Sequence, residues 1–515
     1  MMIKGVIFDM FETLVTHYKS PLYFGSEIAD DLGINKRDFL KIWDEYEEER
    51  TIGKVDLEFV LSDILTRYNK YSLDAIRFVV EKRVKIKQQC FENISEEIVA
   101  MLDILKKKKI KIEYWLIVFI VILAISTLLN REYAFTENIK LIIWQCIFFF
   151  CVFEVGRENN KKLFTVFETI LLVVWSALVL FSLYLFFARV SFSTPVKSLY
   201  YGMRIGFFEN RLYGIFVDPN YATTISLVCI IFALRKAIFN QKLWVKVLSI
   251  FVMFVQFSYI SLSGSRSGMI QLVVAAFFGV FFFYLFYQSK KNQSLVLKVV
   301  GATVLAAISS AVVFGGVSLM KTGYVNVANR VEITSPKVVD FFEKDSEKKI
   351  PDEKLVTTER PDVVENKDIS NSRFALWKSA TELMRLEPIF GTTPKGFVAI
   401  AKAKIPETHI AKTGQTPHSA FFYLLAATGI SGTIVFVLFL LSKMWQSLRI
   451  LFATKQKNYL EFLIDNQIVL IILVSSLLIT EIILTRRSAT FIFWLYLGKL
   501  QYDFDQQKQL NRLEK

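Results

Sequence analysis

Apolar runs long enough to cross a bilayer recur along this chain, and they constrain its fold more than any other feature. They lie at about 114–129, 139–155, 163–187, 219–234, 243–260, 266–287, 295–319, 418–441, 466–484 and 488–500. A hydrocarbon core of ~30 Å takes roughly 17–25 residues of helix, allowing for tilt. Inside it every backbone N–H and C=O must find a partner within the protein, which leaves helices as the simplest solution. The sequence therefore predicts an all-α polytopic membrane protein with about ten transmembrane helices. Composition agrees: 53% of the 515 residues are hydrophobic, 48 are Phe, and mean hydropathy is +0.40. A soluble chain of this length carries less apolar content.

Charge orients the spans. One set of inter-span segments holds Arg157, Lys161, Lys162, Arg235, Lys236, Lys242, Lys290, Lys291, Lys298, Lys443, Arg449, Lys455 and Lys457. By the positive-inside rule these are cytoplasmic, with the lysines as solvated anchors. The opposite set holds Arg131, Arg189, Lys197, Arg204, Arg211, Arg486 and Arg487. The inner set is mostly lysine and the outer set mostly arginine. A guanidinium fork suits bidentate contacts to phosphate or carboxylate, so the outer face is suited to an anionic substrate or to lipid phosphates. With an even number of spans, residues 1–112 lie on the cytoplasmic side with the C-terminal tail. A large loop, 321–417, is then extracytoplasmic. The net charge of +14 reflects anchoring loops that touch membrane lipids, and no basic stripe or finger pattern points to nucleic acid. Cys90, Cys146, Cys151 and Cys229 form no disulfide framework. The first 20 residues are not a signal peptide.

Four segments converge on the outer face under this topology. In Arg211–Ala222, Gly214 and the turn Asp218-Pro219-Asn220 lead into a span. Asn220 suits either a helix cap or a substrate contact. In Leu262–Gly268, small residues allow close helix packing, and Arg266 stands at the mouth of a span, where a charge needs a partner or a wet cavity. In Asn371–Arg385, Phe374, Trp377, Ala380 and Met384 share one helical face. This predicts an amphipathic helix lying on the membrane, headed by Arg373. The fourth segment is Thr416-Pro417-His418-Ser419 before an apolar helix. Only three histidines occur in the chain, His17, His409 and His418. At a helix N-terminus the dipole favours a neutral imidazole, the form a general base requires, though a packing role is also open.

Together these segments resemble the O-antigen ligase and polymerase family of bacterial polysaccharide assembly, over roughly residues 114–500. The resemblance rests on an RLxGxFxxPN-like stretch at Arg211–Asn220, SxSRSG at Ser263–Gly268, R-x3-W at Arg373–Trp377 with downstream glycines, and the histidine before an apolar helix. It implies a GT-C-like glycosyltransferase of the bacterial cytoplasmic (inner) membrane, without metal or other cofactor. The active site would lie on the outer face. The donor would be a glycan on undecaprenyl diphosphate, and the acceptor a hydroxyl of a glycan or lipid carrier. Residues matching Arg266 and Arg373, with Arg211, would bind the diphosphate. His418 would be catalytic, and Asn220 and Trp377 would shape the substrate loop. Departures from the family are Ser419 where Asn is usual, Ala427 and Thr428 where an acidic residue is common, and about two fewer N-terminal spans.

Residues 3–112 differ in character. Ile3–Leu14 reads as an apolar strand running into an Asp turn and resembles the first motif of haloacid-dehalogenase-like hydrolases, with Asp9 in the nucleophile position. Residues 20–100 read as helices, like that family's cap. The later motifs are missing: after Lys106-Lys107-Lys108-Lys109 the chain turns into membrane, and a carboxylate nucleophile needs those partners. The expectation is a truncated α/β fragment without hydrolase activity. Residues 333–370 read as a charged, polar insertion. For 113–515 the expected function is glycan transfer as a polymerase or ligase. The alternative is a lipid-linked glycan flippase or transporter, which would hold ionisable residues near the midplane in broken helices.

Overall fold

The computed structural model describes residues 23–51, 54–92, 113–194, 203–208, 210–292, 294–330, 372–454 and 458–513. It divides into two units, Met1–Ile112 and Glu113–Lys515.

In the first unit five helices, α1 (Gly25–Asp31), α2 (Lys36–Glu45), α3 (Glu47–Thr51), α4 (Leu57–Arg67) and α5 (Leu73–Glu92), are described. Ile28, Phe39, Leu61, Ile64 and Val79 form their core. Asn35 and Asp56 start α2 and α4 by accepting the backbone N–H of Arg37 and Phe59 at 3.0 and 2.8 Å. Such caps satisfy donors that have no partner within the helix. The strand expected at residues 3–9, with Asp9, lies outside the described residues, as does the insertion at 333–370.

In the second unit a helix meets each of the ten predicted runs. These are α6 (Tyr114–Leu129), α7 (Phe135–Arg157), α8 (Lys161–Phe187), α9 (Pro219–Phe239), α10 (Leu243–Ser263), α11 (Arg266–Gln288) and α12 (Leu295–Arg330). After three short helices, α13 (Arg373–Leu386), α14 (Phe397–Lys404) and α15 (His409–Thr413), come α16 (Ala420–Ala453), α17 (Tyr459–Leu478) and α18 (Ser488–Leu513). Among the described residues, eight helices are long and apolar enough to cross a membrane. Helix α6 has only 16 residues, and α18 turns polar in its second half. Between α8 and α9 lies an antiparallel sheet in the order β1 (Ser191–Thr194), β2 (Met203–Phe208), β3 (Arg211–Gly214). No run of alternating residues announced it.

Two boundaries and one helix placement differ from expectation. The loop placed at 321–417 starts later, because α12 continues through Lys321 to Arg330. The span placed at 466–484 is α17, which ends at Leu478. Residues 479–487 are non-helical, yet Ile479 to Leu484 are buried. The helix headed by Arg373 does not lie flat on a surface. Trp377 of α13 stacks on Phe422 near the start of α16, with centroids 4.9 Å apart. The chain just after α13 then meets α16 at Ala426–Gly429. So α13 descends beside α16, with Leu376, Ser379, Ala380 and Leu383 inward. Phe374, expected on the apolar face, is 67% exposed.

What lets α13 descend is a break in α16. Gly429 has φ 63° and ψ −163° inside the helix, about 14 Å below its start at ~1.5 Å per residue. The backbone groups freed there are taken by residues 388–393. Ile430 N–H donates to Pro388 O (2.8 Å) and Ser431 N–H to Ile389 O (3.2 Å). Thr392 and Thr393 N–H donate to Ala426 O (2.9 Å) and Ala427 O (3.0 Å). Non-helical backbone at such depth is stable only where protein satisfies it. Helix α6 supports the same crossing: Asn130 Nδ2 donates to Gly391 O at 3.1 Å. Its other end starts beside α16, where Glu113 pairs with Lys443 at 3.0 Å. Helix α6 is short because it spans only the distance from Lys443 to this crossing.

Opposite the Arg266 and His418 end, buried ion pairs tie α18 into the bundle. Arg157 meets Asp505 (2.5 Å), Lys499 meets Asp465 (3.0 Å), and Arg235 bridges Glu168 and Asp465. Lys443 also donates to Gln501 at 2.5 Å. Arg157, Arg235 and Lys443, read from sequence as anchors in water, are packed and paired instead. A cation enclosed among helices requires such partners.

Candidate functional site

Helices α9, α11, α16 and α18 begin, and α8, α10 and α17 end, at one end of the second unit. The predicted segments meet there.

Strand β3 sets the first of them. Gly214 has φ 64°, and a Cβ there would fall 2.2 Å from Ser182 Oγ of α8, so this position needs glycine. Arg211, 8% exposed, donates from Nε to the carbonyl of Ser263 (3.0 Å) and from a terminal nitrogen to Asn220 Oδ1 (3.3 Å). It thus caps the last turn of α10. Asn220 does not cap α9. Asp218 is the cap, accepting from Asn220 N–H at 2.8 Å, because its carboxylate sits just ahead of the Pro219 N1 position. The Asn220 side chain instead also accepts from Ser265 Oγ at 2.9 Å. Ser265 caps α11 through Gly268 N–H (3.1 Å). One polar net therefore fixes the turn that presents Arg266, the first residue of α11.

Helix α13 and the α16 start supply the rest. Arg373 is the first residue of α13, set by Ser372 at φ 63°. Trp377 Nε1–H donates to the carbonyl of Pro417 at 3.0 Å. The next residue, His418, is half-buried and holds φ 49°, a left-handed conformation that costs a side-chain-bearing residue roughly 1–2 kcal/mol. Surrounding contacts must impose such a conformation, and strain of this kind gathers at functional sites.

The charges act on one another. Burial pulls the His418 imidazole below its ordinary range; Arg373 and Arg487 pull the same way, and Asp218 opposes them. Burial also lowers the Arg373 guanidinium, aided by Arg266 and Arg211 and opposed by Asp218 and Tyr221. Arg211, Arg266, Arg373, Arg487, Asp218 and His418 thus share one electrostatic neighbourhood. An imidazole held neutral beside several guanidinium groups can accept a proton next to a bound anion.

Sequence reading did not single out Asp218, Tyr221, Glu481 or Arg487 as site residues. Arg487 lies in the non-helical stretch before α18, its guanidinium carbon 3.3 Å from the Tyr221 ring centroid. Its signal was the Arg486-Arg487 pair at a span boundary; that of Glu481 was a carboxyl within an apolar run. Among the described residues, no group of three His, Cys, Asp or Glu side chains is placed to hold a metal ion.

Residues 251–437 match the family model of O-antigen ligase. No curated protein and no solved structure matches the chain. The matched stretch runs from within α10 into α16 and includes Arg266, Arg373, Trp377 and His418, but not Arg211, Asn220, Glu481 or Arg487. The segment that supplies Arg266, Arg373 and His418 is thus an O-antigen-ligase-like domain set in a multi-pass membrane protein.

Proposed function

We propose that this protein is a glycosyltransferase of surface-polysaccharide assembly in a bacterial cytoplasmic membrane. It would transfer a glycan from undecaprenyl diphosphate to an acceptor hydroxyl, as a polymerase or ligase, from the outer face. The observation that carries this reading is His418, held neutral and strained beside Arg373 and Arg487 at the end where Arg266 emerges. The family match over Arg266, Arg373 and His418 supports it.

In the reaction, the acceptor oxygen forms a bond to the anomeric carbon while the bond from that carbon to the diphosphate oxygen breaks. His418 takes the acceptor proton. The electron pair leaves on the diphosphate, whose growing charge Arg266, Arg373 and Arg487 stabilise. Arg211 and Asn220 hold the turn that aims Arg266, and Trp377 holds His418. Residues 1–112 take no part: Asp9→Asn, or removal of residues 1–108 behind a new start Met, leaves transfer intact.

The transporter alternative finds its broken helix at Gly429 of α16. There, however, the freed backbone groups are bonded to residues 388–393, so they are not offered to an ion or substrate. The test is transfer from purified undecaprenyl-diphosphate glycan in detergent, without added metal or nucleotide. His418→Ala loses about 10²–10⁴ in rate while donor binding persists. Arg266→Lys fails as well, since a point charge cannot replace the fork. Near-normal transfer by folded His418→Ala would falsify the catalytic role and favour the transporter.

A further inference from the structure

The exposed Arg487 rests on the ring of Tyr221, with its guanidinium carbon 3.3 Å from the ring centroid. A guanidinium standing on edge could not bring that carbon so close, so the fork lies flat on the ring. Arg487 occupies the cap position of α18, its carbonyl accepting from Phe491 N–H at 3.2 Å. A cation there meets the positive end of the helix dipole, and an arginine is not a side chain that caps a helix start. Helix α18 therefore gains nothing from this side chain. Among the described residues the guanidinium has the Tyr221 ring as its contact and closes no hydrogen bond or ion pair.

Tyr221 follows Asn220 in the first turn of α9. Asn220 Oδ1 accepts from Arg211 (3.3 Å) and from Ser265 Oγ (2.9 Å), and Ser265 immediately precedes Arg266. The head of α9 thus serves two arginines. Through Asn220 it fixes the turn that presents Arg266, and through the Tyr221 ring it carries Arg487. The kind of support matters. A carboxylate beneath Arg487 would occupy N–H groups of the fork and offset its charge. An aromatic face attracts the cation yet leaves every N–H in the guanidinium plane, directed outward. The fork is held without being used up.

Resting on the reading above that this end binds a lipid diphosphate, we propose that Tyr221 is a positioning residue for Arg487. Its ring holds the guanidinium flat, so that the outward N–H edge meets the donor's diphosphate in a fixed direction. Tyr221 itself does not touch the anion; it acts through Arg487. The ring face carries this role, and the phenol hydroxyl is not required for it.

The experiment measures the affinity of the full chain in detergent for undecaprenyl diphosphate, with melting temperature recorded for every variant. Tyr221→Leu removes the ring and weakens binding about fivefold, the scale of a cation–π contact. Arg487→Gln weakens it at least as much. The double variant Tyr221→Leu with Arg487→Gln binds no more weakly than Arg487→Gln alone, because the ring acts only through the guanidinium. Tyr221→Phe restores most of the affinity. Wild-type affinity in Tyr221→Leu with a lowered melting temperature means that the ring merely pins residues 479–487 to α9, and overturns the proposal. So does a loss that adds in full to that of Arg487→Gln. Should Tyr221→Leu not fold, a ring-fluorinated phenylalanine at position 221 decides. It keeps the shape but drains the negative ring face, so affinity falls below that of Tyr221→Phe; equal affinity overturns the proposal. Unchanged binding by Arg487→Gln overturns it too, while leaving Arg266 and Arg373 as donor contacts. No binding by wild type removes the donor site itself, and this inference with it.

Discussion

The indole N–H of Trp377 donates to the carbonyl of Pro417 at 3.0 Å, one residue before His418. The bond ties the first turns of α13, headed by Arg373, to the strained turn before α16. Arg373 and His418 are thus mounted on one packed pair of helices. Trp377→Phe keeps the stacking on Phe422 but deletes the donor. A hydrogen bond of ~1 kcal/mol corresponds to a rate loss of about fivefold to tenfold if it positions His418. Initial rates at saturating donor, with melting temperature measured alongside, check this. An unchanged kcat removes the positioning role.

The pH dependence of transfer has a sign that follows from the charges around His418. A general base works above its pKa, and burial with Arg373 and Arg487 lowers that of His418. The acid limb of kcat/KM therefore lies below the ordinary histidine range of ~6.5. Arg487→Gln removes a positive neighbour and moves the limb to higher pH. Asp218→Asn can still cap α9 but removes a negative neighbour, and moves the limb lower. Rate profiles of the three proteins decide it; a limb that stays in place in both variants assigns the titration to another group.

The crossing at Gly391 and Gly429 carries a stability prediction. A Cβ at Gly429 would lie 2.5 Å from Ile389 O, and one at Gly391 would lie 2.4 Å from Gly429 N. Both sites also have positive φ. Gly429→Ala and Gly391→Ala each cost about 3 kcal/mol through clash and strain. Thermal unfolding in detergent shows this as a lowered midpoint. Gly414→Ala is the control for φ alone, since nothing lies within 4 Å of its Cβ, and it shifts the midpoint less.

Sidedness is testable with single cysteines. Lys412, on α15 shortly before α16 starts, and Arg449, near the end of α16, are both exposed. With the arginine end extracytoplasmic, Lys412→Cys in intact cells reacts with an impermeant thiol reagent, and Arg449→Cys reacts only after lysis. The reverse pattern inverts the topology and the proposed active-site face.

The apolar runs determined the polytopic helical class from sequence alone, because a bilayer demands long apolar helices whatever their neighbours. The same local logic singled out Arg266, Arg373 and His418, and the structure places all three at one end of the bundle. It could not weigh Arg487, since the Tyr221 ring under its guanidinium is 266 positions earlier in the chain. It also misread Lys443 as a solvated anchor, because the Glu113 that pairs with it is 330 positions earlier in the chain. Asn220 and Asp218 exchanged the cap for the same kind of reason: both are good caps locally, and the bonds from Arg211 and Ser265 decided between them. The descent of α13 into the break of α16 was beyond any periodicity, since hydrogen bonds between residues 388–393 and 426–431 depend on two segments meeting in space. Hydropathy and charge are properties of neighbours in sequence. The partner of a buried polar group is a property of neighbours in space, and only the tertiary structure supplied it.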